Sequence, residues 1–175
     1  MNFRTKIIGL FILLFALNQE AYAQKMDNKL KAFYKTFQES IVTDDMNTLS
    51  GCMYFPFQTI YWVDGVNELN EEEKADGLIK KEEFATYASK IYHPDVKRLV
   101  PKMGGEHLQQ IDIESSGDYY RQLANAVDGQ DNLYELYCQY SEDSTVGDDY
   151  FAFIFGKVNN EYKVLAYYSK RRVKE

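Results

Sequence analysis

Residues 149–169 read DYFAFIFGKVNNEYKVLAYYS, and their apolar positions recur every second residue. Phe151, Phe153 and Phe155 share one side, while Tyr150, Ala152 and Ile154 share the other. A period of two is that of a β-strand, not of a helix. Asn159-Asn160 tolerate the positive φ of a tight turn, so the segment predicts an antiparallel hairpin. Large apolar groups on both sides predict a strand with both faces covered.

Working outward, NLYELYCQYS (132–141) reads as a further strand, joined to the hairpin by the turn-rich EDSTVGD (142–148). The stretch GCMYFPFQTIYW (51–62) places five aromatic rings in twelve positions. As a strand it puts Tyr54, Pro56, Gln58, Ile60 and Trp62 on one side, and Phe55, Phe57, Thr59, Tyr61 and Val63 on the other. Pro56 has no N–H to give to a ladder, which assigns it to the strand's start or to an edge.

Helical signals precede these strands. Leu30, Phe33, Tyr34, Phe37 and Ile41 form one stripe, with Asp27 as its N-cap. Thr43 is expected to cap a short second helix carrying Met46 and Leu49, ended by Gly51. A third helix is expected over 80–92, with Phe84, Tyr87, Ala88, Ile91 and Tyr92 inward and Pro94 as its stop. Residues 106–130 are ambiguous: LQQIDI suits a strand, and DYYRQLANAV suits a helix or an irregular segment. Helices first and a long sheet last make the class α+β.

The chain opens MNFRTKIIGLFILLFALNQEAYAQ, with Arg4 and Lys6, an eleven-residue apolar run Ile7–Leu17, and then Ala21-Tyr22-Ala23. This order predicts a signal peptide over residues 1–23, cut before Gln24, and export to the periplasm or beyond the cell. The run is shorter than the roughly 20 residues needed to cross a bilayer, so no membrane association is expected after cleavage. Residues 24–175 suit one α+β domain. A formal net charge of −7 argues against binding to a phosphate backbone, and the basic SKRRVKE at 169–175 reads as a solvated tail. Cys52 and Cys138 would enter an oxidising compartment; a bridge and two buried thiols both stay open.

The order of elements, LKAFYKTFQESI, DDMNTL, YFPF and finally YFAFIFGKVNNEYKVLAYY, resembles the nuclear transport factor 2-like superfamily over residues 27–170. That cystatin-like fold includes ketosteroid-isomerase-like and SnoaL-like proteins, and small exported bacterial members of unassigned function. The resemblance implies a cone-shaped, curved antiparallel sheet, with N-terminal helices on its concave face and a pocket between them. It also implies a convex face that pairs with a second subunit, which suits strands apolar on both sides.

Ligand-binding residues expected of such a pocket are Phe57, Tyr61, Trp62, Tyr87, His93, Tyr137 and Phe153. No carboxylate base emerges, since Asp64 and Asp112 read as loop residues at the rim. His93, at a helix end before Pro94, and His107, after a glycine pair, have no metal-ligand spacing between them. VDGVNELNEEEKADG (63–77) lacks the calcium-loop pattern, and MGGEH (103–107) lacks a phosphate-cradling one. No cofactor is expected, and no nucleophile elbow occurs. The preferred reading is an exported, non-enzymatic protein that binds a small apolar or aromatic ligand, or a protein partner. The alternative is a metal-independent acid–base enzyme, an isomerase or a hydrolase.

Overall fold

The computed structural model describes residues 27–62, 69–129, 132–141 and 148–174. The expected signal segment, Asp64 and residues 142–147 of the expected turn lie outside them. The elements run α1 (Asn28–Thr43), α2 (Met46–Cys52), β1 (Met53–Gln58), α3 (Glu71–Asp76), β2 (Leu78–Ile79), α4 (Phe84–Ile91), α5 (Pro94–Leu99), β3 (Leu108–Gln110), α6 (Asp118–Ala124), β4 (Leu133–Ser141), β5 (Asp148–Val158) and β6 (Glu161–Ser169). The chain is α+β, with an open six-stranded sheet in the order β2-β1-β6-β5-β4-β3.

Local rules account for most of these bounds. Asp27 caps α1 by accepting from the Lys29 N–H at 2.9 Å. Thr43 remains inside α1, and the cap of α2 is instead Asp45, whose carboxylate takes both the N–H and the hydroxyl of Thr48. The carboxylate holds one donor on each oxygen, at 3.1 and 2.6 Å. Pro94 ends one helix and opens the next, standing at the first position of α5, where its missing N–H costs nothing. Asn159 and Asn160 take φ of 51° and 65°, as the hairpin requires. Both their N–H groups donate to the Asp128 carboxylate.

The sheet is mixed, not wholly antiparallel, because β1 runs parallel to β6. Met53 lies beside Val164 and Gln58 beside Ala166, so the ladder is irregular across the span that contains Pro56. A residue without an N–H is tolerated at such an interruption.

Each face of the sheet buries its own core. Against the first face, Phe37 of α1 meets Phe153 edge-on at 5.3 Å and Phe155 at 5.5 Å, and Tyr34 meets Phe155 at 5.8 Å. Edge-to-face contact sets the positive ring edge against the negative ring face. Phe57, Phe84, Ile91 and Val164 complete this layer. Against the second face, Ala152, Ile154, Leu165 and Ala166 pack under Trp62, Ile113 and Tyr119. The covering helix is α6, from the ambiguous stretch, with Leu123 and Ala124 packed on this layer. A bulge between Ile154 and Phe155 lets both Leu165 and Ala166 join the second face. At Gly156 an added Cβ would stand 2.4 Å from Val127, so the segment after α6 crosses β5 where only glycine leaves room.

Cys52 and Cys138 are both free. Burial raises both thiol pKa values, which favours the protonated form.

Two-sided burial has a direct test. Phe153→Ala on the first face should cost about 3–5 kcal/mol, and Ile154→Ala on the second about 2–5 kcal/mol, in urea unfolding. An Ile154→Ala cost below about 0.5 kcal/mol would mean that the second face is not buried.

Candidate functional site

The expected ligand-binding residues do not converge on one pocket, because the sheet lies between them. Phe57 and Phe153 are fully buried in the first core. Tyr87 packs on the same layer beneath Lys174, whose Nζ lies 5.8 Å from the ring centroid. His93 is on that side too, its ring edge-on to Phe151 at 5.9 Å. Trp62 and Tyr61 lie across the sheet, each edge-on to Tyr119 at 4.7 Å. Tyr137 is with them, stacked on Tyr150 at 6.0 Å. The register is the reason: Phe153 stands opposite Leu136, and Tyr137 opposite Ala152. Past Gln58 the chain leaves the ladder, so Tyr61 and Trp62 no longer alternate.

A cleft of about 560 Å³ opens where the two layers end. Three distant segments form it: the α4–α5 junction (Ser89–Asp95), the ends of β4 and β5 (Tyr140, Asp149, Tyr150), and the residues around the end of β6 (Ser169–Arg172). The volume falls within the roughly 300–1,000 Å³ of small-molecule sites.

Polar groups fill this cleft. His93 occupies the N-cap position of α5 with extended φ and ψ of −66° and 168°, yet its side chain makes no cap hydrogen bond. The half-buried His93 side chain lines the cleft. Burial lowers the imidazole pKa below the ordinary 6.5; Asp95 and Asp149 pull it back, and Arg171 reinforces the fall. The ring is neutral at pH 7. Asp149 is 6% exposed and held by Lys170 Nζ at 3.2 Å and Arg171 at 3.6 Å. Asp95 pairs with Arg98 at 2.6 Å. Lys90 and Arg172 also line the cleft, and among the described residues neither has an ion-pair partner.

A second polar arrangement, absent from the sequence-based expectations, lies on the second face. Glu135 Oε1 accepts from the hydroxyls of Tyr120 and Tyr168, both at 2.7 Å. Burial, and then the nearby carboxylate, push both phenols above their ordinary value, so they remain donors at neutral pH. This contact ties α6 to β4 and β6 and acts as a brace. Its sequence signal is a charged residue at 135 between Leu133 and Tyr137 on the apolar side of a strand. The carboxylate of Asp112 is exposed and closes a local turn by accepting from Ser115 at 2.8 Å. His107 lies 3.3 Å from the carbonyl of Gly104 in another turn. Among the described residues no group of three or more His, Cys, Asp or Glu comes together as a metal site, and no helix is long and apolar enough to cross a membrane.

No family model matches the chain, and comparison with curated proteins returns no relative.

The proton linkage at His93 can be read in solution. Its folded pKa lies below the unfolded 6.5, so the unfolded chain binds the extra proton first and stability falls as pH drops below about 6.5. An NMR titration should place the His93 midpoint below 6.5, and His93→Gln should flatten stability against pH in that window. A midpoint above 6.5 would refute the half-buried, neutral ring.

Proposed function

We propose that this protein is an exported, non-enzymatic binding protein, and that its ligand is a small ring-bearing anion held in the His93–Asp149 cleft. One observation carries this reading: Lys90 and Arg172 line a ring-bearing cleft with no ion-pair partner among the described residues, in a chain of net charge −7. Sites of this kind combine stacking surfaces with a few convergent polar groups. Tyr140, Tyr150 and His93 supply the rings, and Lys90 and Arg172 add a negative group to the aromatic ligand expected from the sequence.

The same proposal takes the open sheet as the curved cone of nuclear transport factor 2-like proteins, with α1 on its concave side. Its support is the position of β6 beside β1 and the contact of α1 with Phe153. Because α6 already covers the second face, the reason for pairing two chains there narrows to the neighbourhood of Tyr137, which is 43% exposed. A second reading, acid–base chemistry on the bound molecule, draws on the neutral imidazole of His93. It requires a rate profile whose lower limb follows the His93 titration and a rate that collapses in His93→Gln.

Native mass spectrometry of the mature protein from its own host tests for a retained anion and gives the subunit count. In titration calorimetry, benzoate should bind the wild type and bind the Lys90→Glu/Arg172→Glu variant at least tenfold more weakly, with salt eroding the affinity. Equal affinity for uncharged benzamide would remove the electrostatic basis of the proposal.

A further inference from the structure

We propose that the rings on the second face form a relay for oxidising equivalents, with Tyr120 and Tyr168 as its resting place and Tyr61 and Tyr137 as its openings to solvent. The rings adjoin in series. Trp62 meets Tyr119 at 4.7 Å, Tyr119 meets Tyr61 at 4.7 Å, and Tyr61 meets Tyr168 at 4.7 Å. Tyr120 lies 5.1 Å from Tyr119 and 6.1 Å from Tyr61. Tyr168 then reaches Tyr150 at 6.4 Å, and Tyr150 stacks on Tyr137 at 6.0 Å. Rings this close give an electron a path from one π-system to the next.

Their polar atoms divide these rings by role. An oxidised indole or phenol is a strong acid, and it keeps its full oxidising strength until a base takes its proton. Trp62 Nε1 and Tyr119 Oη are buried with no hydrogen-bond partner among the described residues, so an oxidising equivalent passes through them without settling. Tyr120 and Tyr168 differ. Each hydroxyl donates to Glu135 Oε1 at 2.7 Å, so a base already stands in line for the proton. At the ends of the series Tyr61 is 39% and Tyr137 43% exposed, within reach of a soluble reductant.

A one-electron oxidant in solution removes an electron from Trp62. One electron then moves from Tyr168 through Tyr61 and Tyr119 to the indole, while the Tyr168 hydroxyl proton moves to Glu135. The products are an intact Trp62, a neutral tyrosyl radical and a neutral Glu135. A thiolate returns one electron through Tyr61, or through Tyr137 and Tyr150, and becomes a thiyl radical; Glu135 gives the proton back.

Trp62 is the single tryptophan of the chain, so light absorbed by tryptophan and not by tyrosine starts the relay at one place. The measurement is flash photo-oxidation with hexaamminecobalt(III) as the electron sink, following the separate absorption bands of the indole and tyrosyl radicals. In the wild type the indole radical should convert to a tyrosyl radical at a rate independent of protein concentration. Tyr119→Phe, which keeps the ring but resists oxidation, should slow this conversion at least tenfold. Glu135→Gln, which keeps the shape but takes no proton, should lower the tyrosyl yield at least threefold. Added glutathione should shorten the life of the tyrosyl radical in the wild type, and at least tenfold less in Tyr61→Phe/Tyr137→Phe. No conversion in the wild type, a rate that follows protein concentration, or an unchanged response in any of the three variants would each overturn the proposal. The wild-type kinetics decide even if a variant does not fold.

Discussion

The middle of strand β5 has no solvent side. Residues 151–155 are all fully buried, alternating between Phe on one face and Ala or Ile on the other. Each fully buried large apolar side chain contributes roughly 1.5–3 kcal/mol, so exposing either row would remove a large part of a typical folding free energy. The strand must therefore lie inside the sheet, with a layer above and a layer below. Its neighbours follow: β4 and β6 flank it, β1 joins β6, and the two shortest strands take the edges. Helices from different parts of the chain become the covers, α1 for the Phe row and α6 for the Ala and Ile row.

Where the two layers stop, polar groups gather. Lys170 and Arg171 reach Asp149, and His93 turns its ring onto Phe151, because the β-strands run out there and the α4–α5 junction passes over the gap. The contrast with Glu135 is instructive. Two phenols satisfy one of its oxygens and lock it in place, which gives bracing. The Trp62 indole is buried, and its Nε1 has no hydrogen-bond partner among the described residues. Satisfied polar groups such as Glu135 hold this fold together.

Sequence alone determined the parts that depend on neighbours along the chain. The α1 stripe, its Asp27 cap, the alternation within β5 and the Asn159-Asn160 turn all stand in the structure where local rules put them. Other parts needed the tertiary structure. The seven-residue α6 had too short a pattern to separate from an irregular segment, and its helical state is fixed by Tyr119 and Leu123 packing on the second face. The parallel pairing of β1 with β6 joins residues that no local period relates. Alternation tells which residues of a strand share a side, but not which side of one strand faces which side of another. That choice, made by long-range register, split Phe153 from Tyr137 and placed Trp62 apart from His93. The clefts are the spaces left between packed layers, and only the packing of segments far apart in sequence sets their walls.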